Sequence, residues 1–336
     1  MMKILITGIT GMVGSHLLDY IIENTDSEVI GLTRWRTSLE NIKNHIPAIN
    51  GSERIILEHC DIRDAIGVNN IFYKYKFDYV FHLAAQSYPH VSFSNPIETY
   101  ETNINGTENI LNACLNNCPN AKIHICSSSE VFGRVPADKV PIDEETSFHP
   151  ASPYAISKCS TDLIGRYYAE AFSLNTQITR MFTHTGPRRG DVFMESTFAK
   201  QIALIEKGYQ EPIVEVGNLN SLRTIADVRD AVRAYWILLN TNSKKGDYFN
   251  IGGKKTLKVE EILKDLINLS TCKNIEYRVD KNRLRPIDAD LQIPNTSKFT
   301  NLTGWVPEIP YEKTINDLLN YWREKVRTYG NSFLKR

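Results

Sequence analysis

A turn near the start of the chain carries glycines at positions 8, 11 and 14. It follows the strand-like run Lys3–Ile6 and precedes the helical run Ser15–Ile22. In that context the first glycine permits a tight turn, the second lets backbone approach a phosphate, and the third lets helix and strand pack closely. The pattern predicts a dinucleotide pyrophosphate at the helix N-terminus, although three glycines also suit an ordinary strand–turn–helix. The residues predicted to contact it are Gly8, Thr10, Gly11, Met12, Val13 and Gly14.

The first half of the chain alternates strand-like and helical stretches, which favours a parallel sheet covered by helices on both faces. After Gly186 this rhythm breaks, and a helix at Val228–Leu239 with a strand at Tyr248–Ile251 returns to the sheet. The predicted class is therefore α/β, a doubly wound parallel (Rossmann) sheet with a smaller, interleaved α+β domain. The strands are predicted at Lys3–Thr7, Glu28–Thr33, Arg54–His59, Tyr79–Ala84, Lys122–Ser127 and Thr176–Phe182, and long helices at Gly106–Asn116, Pro153–Phe172 and Tyr311–Arg327.

Two domains are expected from this pattern. Residues 1–186 and 225–254 are assigned to the dinucleotide-binding domain. Residues 187–224 and 255–336 are assigned to the domain that binds the substrate. Ligands of such sheets lie beyond the carboxyl ends of the strands, where most of the motifs below are found.

Composition excludes several classes of function. Basic and acidic residues balance at 39 each, so no bulk field attracts nucleic acid or anionic membrane. No apolar run approaches the roughly 20 residues of a membrane helix, and a strand follows Met1 too closely for a signal peptide. The six cysteines form no CxxC pair, so we expect reduced thiols and no metal. These features predict a cytoplasmic enzyme that acts on small molecules.

The chemistry is expected around Tyr154 and Lys158, which a spacing of four places on one helix face. The lysine charge is expected to lower the pKa of the tyrosine, which favours the phenolate. Ser128 and Ser129 follow a predicted strand, and a serine hydroxyl there can hydrogen-bond a substrate oxygen. Glu130 can act as a base on an adjacent carbon. A polar loop in which the serines cap a turn is the alternative interpretation.

The end of the second strand predicts which dinucleotide binds. It carries Arg34 and Arg36 and no acidic residue, so it favours the 2′-phosphate of NADP over the ribose hydroxyl of NAD. A solvated basic loop is the alternative. Residues at the ends of the third and fourth strands are also predicted to contact the cofactor. Asp61 and Ile62 are expected to contact the adenine through a carboxylate and an apolar side chain, and small residues at the end of the fourth strand let backbone approach the cofactor. The predicted residues are Asp61, Ile62, Leu83, Ala84, Ala85 and Ser87.

Arginines recur through the second half of the chain, at Arg188, Arg189, Arg223, Arg283 and Arg285. Such a cluster in a neutral protein indicates phosphate binding, with surface salt bridges as the alternative.

Taken together, these motifs resemble the extended short-chain dehydrogenase/reductase superfamily over nearly the whole chain. Within it the chain is most similar to GDP-mannose 4,6-dehydratases and GDP-4-keto-6-deoxymannose reductases. Residues 128–130 resemble the dehydratase Thr-Ser-Glu triplet, with Ser in place of Thr, and residues 187–190 repeat its PRRG motif. The run Gln210–Leu219 is more similar to the reductases.

The resemblance implies roles for further residues. It implies cofactor contacts for His184 and Arg189. It implies contacts with a GDP-sugar for a second set, in which Thr183 replaces the usual Asn. That set is Thr183, Phe193, Lys200, Arg223, Arg285 and Asp288.

The implied activity is a redox-neutral 4,6-dehydration of a GDP-sugar to a 4-keto-6-deoxy sugar nucleotide for glycan biosynthesis. Tyr154 takes the C4 hydroxyl proton as NADP accepts the hydride, Ser128 holds the C4 oxygen, and Glu130 removes the C5 proton before hydride returns to C6. A GDP-4-keto-6-deoxy-sugar reductase, a C4 dehydrogenase or epimerase, and a non-catalytic NADP-binding regulator are the alternatives. The sugar is mannose, a heptose or an N-acetylhexosamine, and the resemblance implies a homodimer or homotetramer.

Overall fold

The computed structural model describes residues 1–51, 54–287 and 289–335. Its strands are β1 (Lys3–Thr7), β2 (Glu28–Thr33), β3 (Ile55–His59), β4 (Tyr79–His82), β5 (Lys122–Cys126), β6 (Asn175–Met181), β7 (His184–Thr185), β8 (Ile213–Val216), β9 (Leu222–Asp227), β10 (Asp247–Ile251), β11 (Lys255–Lys258), β12 (Glu276–Val279) and β13 (Leu291–Gln292). Its α-helices are α1 (Met12–Asn24), α2 (Ile46–Asn50), α3 (Ala65–Tyr75), α4 (Pro89–Ser94), α5 (Pro96–Tyr100), α6 (Gly106–Asn117), α7 (Pro153–Phe172), α8 (Met194–Glu206), α9 (Val228–Asn240), α10 (Val259–Asn268), α11 (Ser297–Thr303) and α12 (Tyr311–Tyr329).

Within the described residues, seven strands form one parallel sheet in the order β10-β6-β5-β4-β1-β2-β3. Both of its faces are covered, because neighbouring residues of β1 enter different cores. Ile4 and Ile6 pack in one cluster with α1 and α9, whereas Leu5 packs in another with α3 and α6. The strands of a parallel sheet that is buried on both faces have nearly continuous apolar sequences, and β1 has such a sequence. The predicted doubly wound α/β class is confirmed.

The second half of the chain builds a smaller part with sheets of its own. Strands β11, β9 and β13 form one sheet, β7 pairs with β9, and β12 pairs with β8. Helices α8, α10 and α12 pack around a third core that contains Leu263, Leu318 and Trp322. Strand β10 returns to the central sheet, so the two parts interleave as predicted. The predicted boundary at 224/225 lies inside β9, and the division into domains stays a prediction.

The predicted strands of the first half are all present, with ends that differ by at most two residues. The fourth was predicted to reach Ala84 but ends at His82. The backbone N–H groups of Leu83 and Ala84 instead donate to the Thr7 hydroxyl, at 3.0 Å each. The chain therefore leaves the sheet at its carboxyl end and turns along the edge where ligands bind.

Of the helices in the described part of the chain, none combines the length and the apolar character that crossing a bilayer requires.

Candidate active site

A cleft of about 750 Å³ runs along the carboxyl ends of the central strands. Residues that follow β1 to β6 form one side, which we call the sheet wall, and residues 184–223 with 283–285 form the opposite wall. The sequence-predicted residues that line the cleft are Gly8, Thr10, Gly11, Met12, Val13, Gly14, Arg34, Asp61, Ile62, Leu83, Ala84, Ala85, Ser87, Ser128, Ser129, Glu130, Tyr154, Lys158, Thr183, His184, Arg189, Phe193, Arg223 and Arg285. Arg36 and Lys200 are not among the lining residues, and Asp288 lies outside the described residues.

The glycine turn between β1 and α1 leaves space and donors for a phosphate. Gly8 has φ of +69°, and a Cβ there would lie 2.9 Å from the Ala84 Cα. A Cβ on Gly14 would overlap the carbonyl oxygen of Gly8. Gly11 caps α1 without a side chain, and the first turn of the helix contains no acid. The first amides of α1 are therefore available to an anion, and the turn fits a dinucleotide pyrophosphate.

Two polar residues that sequence reasoning missed hold this part of the sheet wall. The Asn41 amide donates to the Thr10 carbonyl at 2.9 Å and itself lines the cleft. Asn103 accepts from the Gln86 N–H at 2.8 Å and donates to the Ser157 hydroxyl at 2.8 Å, which ties the segment after β4 to α7. Neither asparagine was given a role from the sequence, because their partners lie in distant segments of the chain.

The part of the cleft where the adenosine is predicted to bind carries one of the two predicted arginines. Arg34 lines it directly after β2, whereas Arg36 does not line it and has a left-handed φ of 61°; both residues are exposed. Asp61 accepts from the Arg63 guanidinium, with a shortest distance of 2.7 Å. The hydrogen bond from Arg63 lowers the pKa of Asp61, so this carboxylate is charged. Contact of Asp61 with an adenine stays a prediction.

Tyr154 and Lys158 lie in the first turns of α7 and are both buried. The Lys158 ammonium donates to the Cys126 carbonyl at 2.7 Å. Burial raises the pKa of Tyr154 and outweighs a hydrogen bond to Ser128 and the charge of Arg189, which both lower it. The predicted lowering of this pKa is therefore wrong in the protein alone, because desolvation of the phenolate dominates. Burial also lowers the pKa of Lys158.

The serines and the glutamate after β5 form a short 3-10 turn over Ser129–Phe132. Ser128 begins it, and its hydroxyl accepts from the Glu130 N–H at 3.2 Å. A Glu130 carboxylate oxygen lies 3.6 Å from an Arg285 guanidinium nitrogen. Glu130, the predicted base, and Arg285, which is predicted to bind the GDP-sugar, thus form an ion pair across the cleft.

The PRRG segment places the Arg189 cation where its charge acts on Tyr154, the predicted base. The Arg189 guanidinium carbon lies 3.5 Å from the centre of the Phe193 ring, and its Nε lies 3.3 Å from the Glu195 carboxylate. Burial and Arg189 lower the pKa of His184 to about 4, so this imidazole is neutral. Sequence reasoning missed Glu195, although an acid in the first turn of a helix after an arginine pair could have drawn attention to it.

The residues that are predicted to bind the substrate differ in their contacts and in whether they line the cleft. Arg223 lines the cleft and donates to the Ala289 carbonyl at 2.8 Å. The Thr183 carbonyl accepts from the Ala226 N–H at 2.9 Å, which leaves its side chain at the cleft. Lys200 is not among the lining residues, and its ammonium pairs with Asp191 at 3.0 Å. Among the described residues, no cluster of His, Cys, Asp and Glu could hold a metal ion.

Comparisons with known proteins cover nearly the whole chain. A family model for GDP-mannose 4,6 dehydratase matches residues 5–318. The chain is 32% identical to GDP-mannose 4,6 dehydratase 1 of Arabidopsis thaliana, across 96% of this chain and 91% of the relative. It is 27% identical to GDP-6-deoxy-D-mannose reductase of Pseudomonas aeruginosa, across 97% and 98%. The solved structure of RMD from Pseudomonas aeruginosa, complexed with NADPH, superposes with a TM-score of 0.82 at 26% identity, across 97% and 100% of the two chains.

Proposed function

Because this chain belongs to the GDP-mannose 4,6-dehydratase family, we propose that it is an NADP-dependent GDP-sugar 4,6-dehydratase. The resemblance to the extended short-chain dehydrogenase/reductase superfamily is confirmed, and the chain is a nucleotide-sugar-modifying enzyme of that superfamily. The proposed product is a 4-keto-6-deoxy sugar nucleotide that serves glycan biosynthesis.

One observation carries the proposal. A phenol, two serine hydroxyls and a carboxylate line the same cleft as the glycine turn, at Tyr154, Ser128, Ser129 and Glu130. A simple oxidation or reduction at C4 requires only the phenol and one hydroxyl. Elimination across C5 and C6 requires a second acid–base group, and Glu130 supplies it. The set of side chains thus matches the two proton transfers of a dehydration.

The proton transfers divide among these residues. Tyr154 accepts the proton of the C4 hydroxyl, and Ser128 donates a hydrogen bond to the C4 oxygen. Bound NADP supplies reversible hydride storage, so the sugar is oxidised at C4 and later reduced at C6 with no net redox change. The C4 ketone makes the C5 hydrogen acidic, Glu130 removes that proton, and the C6 hydroxyl leaves as water with a proton relayed by Ser129 or a water. When C6 is reduced, Glu130 returns a proton to C5. Ser128 and Arg189 favour the phenolate against burial.

NADP is favoured over NAD by the charge at the end of β2. Arg34 lines the cleft there, and residues 33–38 contain no carboxylate that would repel a 2′-phosphate. The similar structure of RMD is a complex with NADPH. We also propose that Arg223 and Arg285 bind the diphosphate of the GDP-sugar, since both residues line the opposite wall.

Product analysis tests the proposal. Purified protein is incubated with GDP-mannose, a GDP-heptose or GDP-N-acetylglucosamine, without added cofactor, with a catalytic amount of NADP+ and with NADPH. We expect mass spectrometry to show loss of one water from one of these substrates, with no net NADPH consumption. Failure to release water from any of these substrates in the presence of NADP+ would contradict dehydration.

That outcome would favour the second candidate, a GDP-4-keto-6-deoxy-sugar reductase. The extended similarity to the Pseudomonas aeruginosa reductase supports this candidate. The two activities separate cleanly when GDP-4-keto-6-deoxymannose is offered with NADPH, because only a reductase consumes it.

A further inference from the structure

A buried carboxylate lies in the cleft wall outside every motif that the sequence analysis used. Glu195 is 3% exposed, lines the cleft and occupies the first turn of α8. The N-terminus of a helix stabilises a negative charge, but a carboxylate removed from water also requires a cation or hydrogen bonds. That cation is Arg189, whose Nε lies 3.3 Å from the carboxylate.

The backbone of Arg189 is held without help from Glu195. Its carbonyl accepts from the Ser196 hydroxyl at 2.8 Å, and the Trp322 indole donates to the same hydroxyl at 2.8 Å. Its N–H lies 3.3 Å from the Gly186 carbonyl oxygen, to which it donates. Loss of the Glu195 charge therefore frees the guanidinium group and leaves the loop in place.

The guanidinium group has two contacts that fix its plane and position. It stacks on the Phe193 ring at 3.5 Å, and it pairs with Glu195. A ring face attracts a desolvated cation but does not fix its position along the ring, whereas an ion pair adds a second fixed point. We propose that Glu195 is a positioning residue that holds the Arg189 guanidinium on Phe193, where its charge acts on Tyr154.

This inference rests on the proposed function, in which Tyr154 takes a proton from the substrate. The groups that act on the Tyr154 charge come from several elements. Arg189 favours the phenolate, whereas Cys126 at the end of β5 and Glu130 in the turn that follows oppose it. Tyr235 of α9 also interacts electrostatically with Tyr154, and Lys158 lies one turn further along α7. His184, beside Arg189, is neutral because burial lowers its pKa to about 4.

Removal of the Glu195 charge has opposite effects under two explanations. If Glu195 positions Arg189, its loss leaves a buried cation unpaired, and the guanidinium turns toward water in the open cleft. The phenolate then loses its support, and the activity profile moves to higher pH. If Glu195 acts only as a nearby negative charge, its loss increases the positive potential at Tyr154, and the profile moves to lower pH.

The test compares Glu195→Gln, Glu195→Asp and the control Glu206→Gln by the pH dependence of kcat with GDP-mannose. Glu206 is in the same helix, is also paired with an arginine, Arg323, and does not line the cleft. We expect Glu195→Gln to move the acid limb about one pH unit upward, with about a tenfold loss on that limb. Glu195→Asp, which keeps the negative charge, should retain most of the activity on the acid limb. Glu206→Gln should lower the melting temperature and leave the profile unchanged.

An unchanged profile or a shift to lower pH in Glu195→Gln overturns the inference. If that variant does not fold, Phe193→Leu removes the other contact of the guanidinium group and must show the same upward shift. Nitrogen-15 NMR gives a readout without substrate. The Arg189 Nε–H resonance, assigned by its absence in Arg189→Lys, should shift or broaden in Glu195→Gln and persist in Glu206→Gln. A protein with no dehydratase activity would refute the proposed function, whereas the NMR result would still decide the role of Glu195.

Discussion

The two walls of the cleft hold their functional side chains by different means. On the sheet wall, hydrogen bonds from backbone and neutral polar groups hold the chain in place. An example is the Thr7 hydroxyl, which accepts from the N–H groups of Leu83 and Ala84. On the opposite wall, charged side chains hold one another, as Arg189 and Glu195 do. The first kind of order follows from the strand ends and survives most single changes of charge. The order of the opposite wall depends on ion pairs, and a bound diphosphate can compete with the carboxylates for the arginines.

The largest expected effect is on the sheet wall, at the phenol that takes the proton. Tyr154→Phe should lower kcat about 1000-fold, within the usual contribution of a positioned acid–base group, and should leave NADPH affinity nearly unchanged. Steady-state kinetics and fluorescence titration measure the two quantities. The control is Tyr168→Phe, because this buried tyrosine of the same helix bonds to Glu108 away from the cleft. Full turnover by Tyr154→Phe would place the base elsewhere.

A methyl group tests how rigid each wall is. In Gly14→Ala the new Cβ overlaps the Gly8 carbonyl oxygen, so the glycine turn must shift. We expect loss of about 1–3 kcal/mol in unfolding free energy and a large loss of NADPH affinity. On the opposite wall a Cβ at Gly190 meets its nearest atoms at 3.7 Å, so Gly190→Ala should be nearly neutral. Equal effects of the two changes, measured by denaturant unfolding and NADPH titration, would remove the contrast between the walls.

A histidine joins the two walls and makes that junction sensitive to pH. His16 of α1 lies 3.1 Å from the Pro187 carbonyl oxygen, and burial together with Arg188 lowers its pKa to about 4. In the unfolded chain its pKa is about 6.5, so acid protonates the unfolded state first. Above pH 6.5 the neutral His16 leaves the unfolding free energy at its full value. As the pH falls toward 4, protonation of His16 in the unfolded chain lowers the unfolding free energy by roughly 3 kcal/mol.

Urea unfolding at several pH values measures this effect. His16→Gln should reduce the loss of unfolding free energy between pH 6.5 and 4 relative to the original protein. The comparison between the two proteins matters, because other buried histidines such as His82 and His184 also have lowered pKa values. Parallel curves for the two proteins would show that His16 is not responsible.

The two walls also differ in how far the sequence predicts them. Strand β2 at Glu28–Thr33 and helix α7 at Pro153–Phe172 were predicted to the residue, because apolar runs and a Ser-Pro start mark their limits. The glycine spacing and the spacing of four between Tyr154 and Lys158 likewise carry local geometry. The pairing of Glu130 with Arg285 could not be predicted from local sequence patterns, because it joins residues that only the tertiary fold brings together. The raised pKa of Tyr154 was missed for the same reason, since burial is a property of the packed structure.

A smaller effect is expected where the cofactor leaves the sheet wall. Arg34→Ala should weaken NADPH binding about tenfold and leave NADH binding unchanged, because a guanidinium group pairs with the 2′-phosphate that NADH lacks. Arg36→Ala is the matched control, since Arg36 is exposed and does not line the cleft. Fluorescence titration with both nucleotides measures the affinities. Equal losses for NADPH and NADH would refute a contact between Arg34 and the 2′-phosphate.

The smallest effect is expected at Lys200, and it bears most directly on the opposite wall. The family resemblance implies that Lys200 contacts the substrate, whereas the structure pairs it with Asp191, and neither residue is among those that line the cleft. If the pair persists when substrate binds, Lys200→Gln changes the KM for GDP-mannose less than about twofold and costs at most about 1 kcal/mol of unfolding free energy. Asp191→Asn should then resemble it. A tenfold rise in KM for Lys200→Gln with no rise for Asp191→Asn would mean that the lysine leaves its partner for a phosphate. The ion pairs of this wall would in that case be exchangeable contacts that bound substrate replaces.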